Sequence, residues 1–203
     1  MNAPDFSFEQ QSPQQPVCGI DEAGRGPWAG PVVASAVILN PAEIPDGLND
    51  SKKLTAKRRG VLFDRIIATA KVGIGQATVQ EIDELNILNA TYLAMRRAVA
   101  DLPTLPLYAL IDGNRIPPEL GCDSEAIVKG DGRSLSIAAA SIIAKVTRDR
   151  VMVTLAQQFP GYGWESNAGY GVKAHQEGLN RLGATPHHRV SFKPIHKMLY
   201  QDN

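Results

Sequence analysis

Two apolar runs near the N-terminus, Val17-Cys18-Gly19-Ile20 and Pro31-Val32-Val33-Ala34-Ser35-Ala36-Val37-Ile38-Leu39, constrain this chain more than any other feature. The first is short and apolar and the second is rich in β-branched residues, so both read as strands. Between them stands Asp21-Glu22-Ala23-Gly24-Arg25-Gly26-Pro27-Trp28-Ala29-Gly30. Asp21 and Glu22 therefore fall at the open end of a strand, ahead of a loop whose glycines can bring backbone N–H groups close to a ligand. Neighbouring strand residues point to opposite faces, so both acids can serve one spot only where the strand ends or bulges. A metal beyond the strand tip would satisfy both.

Gly24-Arg25-Gly26-Pro27-Trp28-Ala29 fits the pattern that seats a dinucleotide pyrophosphate on a helix N-terminus, but that motif needs a helix next and a strand follows. Two carboxylates would also repel a pyrophosphate. The dinucleotide reading is rejected.

The 203 residues, 43% of them hydrophobic and 21% charged, are enough for one domain with an appendage. No apolar run approaches the roughly 18 residues of a membrane span, and residues 1–15 are polar, which leads to the expectation of a cytoplasmic protein without membrane contact. The two cysteines, Cys18 and Cys122, fit a reducing compartment and are too few for a zinc knuckle. Net charge is zero, yet residues 1–50 hold seven acids and one base while 51–203 hold 14 acids and 20 bases. Acids set in basic surroundings suit a metal-dependent phosphodiester site.

Residues 1–15 read as a flexible tail, 16–160 as the main domain, and 161–203 as a helical extension and basic tail on the same domain. Helical spacing predicts a helix capped by Thr55 and running to Ala70, with Lys57, Arg58 and Arg59 in its first turns, where cations oppose the macrodipole and point to an anionic partner. Val72 to Val79 reads as a third, glycine-weakened strand in an antiparallel meander. A helix from Gln80 to Ala100, a buried strand Leu107–Ile111, a short strand Ala126–Val128 and a long central helix from about Ser134 to Gln158 follow. The four histidines, His175, His187, His188 and His196, match no zinc motif, so surface or capping roles are expected for them.

Asp21, Glu22, Asp112 and Asp131 each fall at the edge of a regular element beside or near glycine. Hard divalent cations take oxygen ligands, and two of them bridged by carboxylates can activate water and stabilise the leaving oxygen of a phosphodiester. With no histidine or cysteine among these acids, magnesium or manganese is favoured over zinc. Asp131, close to a helix N-terminus, is expected to be held ionised by the dipole.

The sequence resembles the type 2 ribonucleases H, the bacterial ribonuclease HII family. The likeness rests on Ile20-Asp21-Glu22-Ala23-Gly24-Arg25-Gly26-Pro27, Asp50-Ser51-Lys52-Lys53-Leu54, Ile111-Asp112-Gly113-Asn114, Lys129-Gly130-Asp131, Ala139 to Asp149, and Gly169-Tyr170-Gly171 with His187-His188-Arg189. It implies an α/β ribonuclease H-like fold: a five-stranded mixed sheet whose first three strands are antiparallel, flanked by helices, with a helical C-terminal extension. It also implies an endonuclease acting as a monomer on RNA–DNA hybrids and on ribonucleotides embedded in duplex DNA, cutting 5′ of the ribonucleotide to leave 3′-hydroxyl and 5′-phosphate ends, in the removal of misincorporated ribonucleotides and RNA primers. The resemblance makes Asp21, Glu22, Asp112 and Asp131 the catalytic two-metal site for Mg2+ or Mn2+. It gives Gly24, Arg25 and Gly26 the ribose 2′-OH, Tyr170 the neighbouring sugar, and Lys52 and Lys53 a place in substrate binding. Trp28 stands where smaller residues are often seen in the family. Two other readings stay open: another magnesium-dependent nuclease or strand transferase on the same fold, and a hybrid-binding protein that has lost catalysis, against which the four intact acids count. Charge placement adds Lys145 and Arg148 as candidates for phosphate contact.

Overall fold

The computed structural model describes residues 3–200. Its centre is a five-stranded mixed sheet of β1 (Val17–Ala23), β2 (Val32–Ile38), β3 (Lys71–Ala77), β4 (Tyr108–Asp112) and β5 (Asp123–Ile127), in the order β3-β2-β1-β4-β5. The first three strands pair antiparallel, and β4 and β5 run parallel to β1. The expected sheet is therefore the observed one. Helices α2 (Ala56–Thr69) and α4 (Leu135–Gln158) cover one face and α3 (Val79–Ala100) the other. On the α3 side Cys18, Ile20, Val32 and Ala34 meet Ile82, Ala94 and Met95; on the α4 side Val37 and Leu39 meet Leu62, Ile66, Ala139 and Ile143. The strand alternation is thus two-sided burial, and the alanines of α4 let it lie close to the sheet.

Among the described residues no helix is long and apolar enough to cross a membrane. Both cysteines are free thiols, and burial pushes Cys18 far above the usual thiol range.

Several boundaries differ from expectation for local reasons. β3 ends at Ala77 because Thr78 caps α3: its hydroxyl accepts from Glu81 N–H while the Glu81 carboxylate accepts from Thr78 N–H. Gly73 and Gly75 do more than weaken that strand, since a Cβ at either would overlap the backbone of α3. α3 is two helical pieces, broken at Asn86 (φ 67°, ψ 163°), whose side chain accepts from Leu88 N–H and Asn89 N–H and so caps the second piece. The end of the 161–203 stretch, expected as a basic tail, carries α7 (Lys193–Tyr200), with Ile195 buried against the cluster around Trp164. Two further helices precede it, α5 (Trp164–Asn167) and α6 (Lys173–Leu182).

The expectation of a flexible tail over 1–15 is corrected for residues 3–15. A short helix, α1 (Ser7–Gln11), buries Glu9 to 2% exposure at the start of α4. One Glu9 carboxylate oxygen accepts from Ser136 N–H at 2.8 Å and from the hydroxyls of Ser134 and Ser136. Glu9 therefore completes the N-terminal cap of the central helix from a distant part of the chain. Replacing it with alanine removes the acceptor of Ser136 N–H and leaves the Ser134 and Ser136 hydroxyls, 3.1 Å apart, only each other, and a loss of about 2 kcal/mol is expected in chemical denaturation. An unchanged midpoint would return the segment to the status of a tail. Residues 1–2 and 201–203 lie outside the described residues.

Candidate active site

The parallel register of β1 and β4, with Ile20 beside Ile111, brings the next residue of each strand, Asp21 and Asp112, to the same edge of the sheet. Carboxylates from two elements distant in sequence thus meet because two apolar strands are in register below them. Asp131 joins from a 3₁₀ turn, Gly130–Gly132, that follows β5, and its N–H donates to Asp112 Oδ1 at 3.3 Å. Glu22, one residue beyond Asp21 and on the other face, borders a cleft with Leu88, Tyr92 and Met95 of α3. β1 does not end at these acids: pairing with β4 stops at Ile20, but Asp21 and Glu22 stay in register with Ser35 and Ala34 of β2 and the strand runs to Ala23, with Glu22 N–H donating to Asp21 Oδ1 at 2.7 Å.

The four acids form one electrostatic unit. Burial, followed by the charges of Glu22, Asp112 and Asp131, pushes the Asp21 carboxyl well above the usual range. Burial raises Glu22 as well, against the opposing pull of Arg25, which pairs with it at 3.3 Å. Asp131 is raised by burial, then by Asp112 and Asp50, so the expected dipole effect of α4 does not decide its state. Burial alone would lower the Lys52 ammonium, but Asp21, Asp50, Asp131 and Asp112 outweigh it and hold the group above its ordinary value. Asp50 matters twice, because its side chain also accepts from Lys52 N–H at 2.9 Å and so fixes the turn that carries the lysine.

Among the described residues no three acidic, histidine or cysteine side chains, these four acids included, form a group that could hold a metal ion as they are placed. Their chemistry nonetheless fits one: the donors are carboxylate oxygens, they repel one another, and a hard divalent cation would relieve that repulsion.

The Gly24–Pro31 loop is held from beneath by two buried arginines. Arg189 donates to Gly24 O at 2.6 Å, Arg25 O at 3.0 Å and Gly30 O at 2.8 Å, and its own N–H reaches Trp28 O at 2.8 Å. Arg148 donates to Pro31 O at 3.0 Å, Ala29 O at 3.1 Å and Ala168 O at 2.9 Å. Arg148 is thereby removed as a candidate phosphate contact; it is buried and bonded to carbonyls. Burial draws the Arg148 pKa down to about 10 and the Arg189 pKa to about 9, leaving both charged at neutral pH. Gly24 has φ +96° and a Cβ there would overlap the Arg148 side chain, so its lack of a side chain is needed below the loop. A Cβ on Gly26 would face the Tyr170 ring at 3.5 Å. Lys145 pairs with Asp149 at 2.7 Å and borders the same cleft as Asp21, Lys52 and Tyr170.

Tyr170 is 48% exposed, and its backbone is secured from the interior. The expectation of surface or capping histidines fails for His175 and His188, which are buried. Thr185 N–H donates to His188 Nδ1 at 2.9 Å, so a neutral His188 carries its proton on Nε2 and donates to His175 Nε2 at 3.0 Å. Trp164 Nε1–H donates to the same nitrogen at 3.1 Å, leaving His175 Nδ1–H to donate to Tyr170 O at 3.0 Å. Burial pulls His188 down to about 4, with His175 adding, in keeping with a neutral pair. Trp28 lies over Gly171 and near His175, with ring centroids 5.8 Å apart, so this large residue fills the space beside Tyr170. The cations at the start of α2 also have local work: Arg58 donates to Asp46 O at 2.7 Å and Arg59 to Leu54 O at 2.6 Å.

Sequence reasoning missed the service of Arg189 to the glycine loop, although His187-His188-Arg189 had been singled out, and it missed Glu9 and Asp50. Asp50-Ser51-Lys52 was the available signal for Asp50; nothing local marks Glu9.

The crystal structure of ribonuclease H2 from Pyrococcus horikoshii OT3 is similar to this chain, with a TM-score of 0.75 and 29% identity over 92% of this chain and 99% of that one. Fold and site together define a ribonuclease H-like hydrolase. The family model for ribonuclease HII matches residues 18–197. Curated relatives named ribonuclease HII include that of Ruegeria pomeroyi, 60% identical over 100% of this chain and 88% of the relative, and that of Cereibacter sphaeroides, 62% identical over 92% and 88%. The chain belongs to the ribonuclease HII family and is a type 2 ribonuclease H endonuclease.

Proposed function

We propose that this ribonuclease cleaves the RNA strand of RNA–DNA hybrids and also cuts 5′ of single ribonucleotides embedded in duplex DNA, leaving 3′-hydroxyl and 5′-phosphate ends. The observation that carries the reading is the convergence of Asp21, Glu22, Asp112 and Asp131 on one sheet edge beside the Gly24–Gly26 loop. These four acids would hold two Mg2+ or Mn2+ ions, which when bound supply an activated water and charge stabilisation for the leaving oxygen.

The remaining chemistry belongs to the chain. Lys52, set among the acids, meets the charge of the phosphate undergoing attack, and Lys53 binds the adjoining backbone. The Gly24-Arg25-Gly26 segment presents backbone groups to the 2′-OH, a group that both donates and accepts and that alone separates a ribonucleotide from its DNA neighbours. Tyr170 offers an exposed ring to the next sugar. The enzyme works as a cytoplasmic monomer in the removal of misincorporated ribonucleotides and RNA primers.

The test is a nicking assay on duplex DNA carrying one ribonucleotide, with Mg2+, with Mn2+ and with a chelator. A single nick 5′ of the ribonucleotide, lost on chelation, is expected. Cutting that ignores the ribonucleotide, or that persists without divalent metal, overturns the reading.

A further inference from the structure

A cavity of about 690 Å³ opens from the acid edge toward the N-terminal segment, on a different side from the glycine loop. Its near wall is Asp112 and Asp131 and its far wall is Ala3, Asp5, Ser7 and Phe8; Lys53, Lys129 and Arg133 stand between. None of these three cations has a carboxylate within ion-pair distance among the described residues, whereas Lys145, Arg96 and Arg97 elsewhere all do.

One of the three is placed at some cost and another is held by the N-terminal segment. Lys129 adopts a left-handed backbone (φ 57°, ψ 41°) just before the turn that carries Asp131, a conformation that side-chain-bearing residues visit rarely and that is retained mainly where it serves a site. Arg133, two residues past Asp131, has its guanidinium over the Phe8 ring at 4.8 Å, and its carbonyl accepts from Asp5 N–H at 3.1 Å. The N-terminal segment thus acts as a wall that aims Arg133 into the cavity. Lys53 reaches the same turn from the other side, since a Cβ on Gly132 would meet its Nζ at 3.6 Å.

We infer that Lys129, Arg133 and Lys53 form a phosphate subsite for the strand being cut, one step beyond the scissile phosphate and on the side away from Tyr170, with Phe8 and the N-terminal segment as its supporting wall. The acids lie between two concavities, one bordered by Gly24, Gly26 and Tyr170 and the other by these cations, and Lys52 borders both. A strand whose ribose lies against the glycine loop passes the acids and continues into the second concavity, where the group it presents is a phosphodiester anion. A guanidinium held on an aromatic face keeps most of its N–H edge for that anion, with one Arg133 N–H leaning on Val128 O at 3.5 Å.

The inference rests on the functional reading above, and its test separates the two. RNA–DNA hybrids are prepared with single neutral methylphosphonates at successive positions on either side of one cleavage site, and cleavage rates are compared for the wild type, an Arg133→Ala/Lys129→Ala variant and Phe8→Leu. The leucine keeps an apolar side chain and removes the ring face. In the wild type, neutralising one phosphate on one side of the cut is expected to slow cleavage roughly tenfold. The double variant should be slower by a similar factor on the unmodified hybrid and indifferent to that one neutral phosphate, with Phe8→Leu intermediate. If every enzyme responds alike to every neutral phosphate, the subsite is absent while the active-site reading stands. If the wild type does not cut the unmodified hybrid, the functional reading fails and takes the subsite with it.

Discussion

An Asp112→Asn enzyme is expected to lose cleavage by on the order of a thousandfold, the scale of removing one group that stabilises charge in a transition state, while its metal-free form melts no lower than the wild type. The two outcomes have one cause. Asp112 contributes repulsion to Asp21, Glu22 and Asp131, all of which its charge pushes upward. In the proposed site, that repulsion is what a pair of divalent cations relieves. Asparagine keeps an oxygen able to accept the 3.3 Å bond from Asp131 N–H, so the turn after β5 keeps its anchor. Removing the charge therefore weakens the metal site and eases strain in its absence. The measurements are single-turnover cleavage of a hybrid with saturating Mg2+ and thermal melts in chelator. Cleavage near the wild-type rate removes Asp112 from the site, and a clear fall in the metal-free melting temperature shows that its carboxylate supports the fold more than it opposes its neighbours.

Much of this was legible in the sequence, for definable reasons. β1, β2 and β4 were readable because burial on both sheet faces makes each a short apolar run, whereas the edge strands β3 and β5 are partly exposed and β5, Asp123 to Ile127, was read only from Ala126 and carried past its end to Val128; the four acids drew notice because each stops an apolar run or follows one beside glycine. What was not legible depends on contacts distant in sequence. Arg148 looked like a phosphate ligand because it lies in a charged stretch of α4, and only the fold shows that it is spent on the carbonyls of Ala29, Pro31 and Ala168. His175 and His188 looked like surface residues because no metal spacing linked them, yet their partners are one another, a tryptophan and two loop backbones. Glu9 sits in a polar, proline-rich segment that composition alone assigns to a tail, and its partners Ser134 and Ser136 lie far along the chain. The capping box at Thr78 and Glu81 was in plain view and was overrun by reading the strand two residues too far.

The second large effect is expected from Arg189→Lys. The guanidinium spans three carbonyls of the glycine loop, Gly24, Arg25 and Gly30, in a geometry that a fork of N–H groups can serve and a single ammonium cannot. A lysine keeps the charge but leaves at least one buried carbonyl unpaired, which costs roughly 2–3 kcal/mol, or a fall in melting temperature of several degrees for a domain of this size. The functional consequence separates a clamp from a filler. If the loop reads the ribose 2′-OH, releasing Gly24 and Arg25 should reduce cleavage at a single embedded ribonucleotide by about a hundredfold, two such hydrogen bonds' worth, and continuous hybrid by much less, because a hybrid offers the enzyme many positions in which to find a productive fit. Arg148→Lys supplies the comparison: it is as buried and as fully bonded, but it holds Ala29, Pro31 and Ala168 and leaves Gly24 and Arg25 to Arg189. Assayed well below both melting temperatures, the two variants should differ in substrate preference even where they match in stability. Equal losses on both substrates by both variants would assign Arg189 to packing alone and move the reading of the 2′-OH away from this loop.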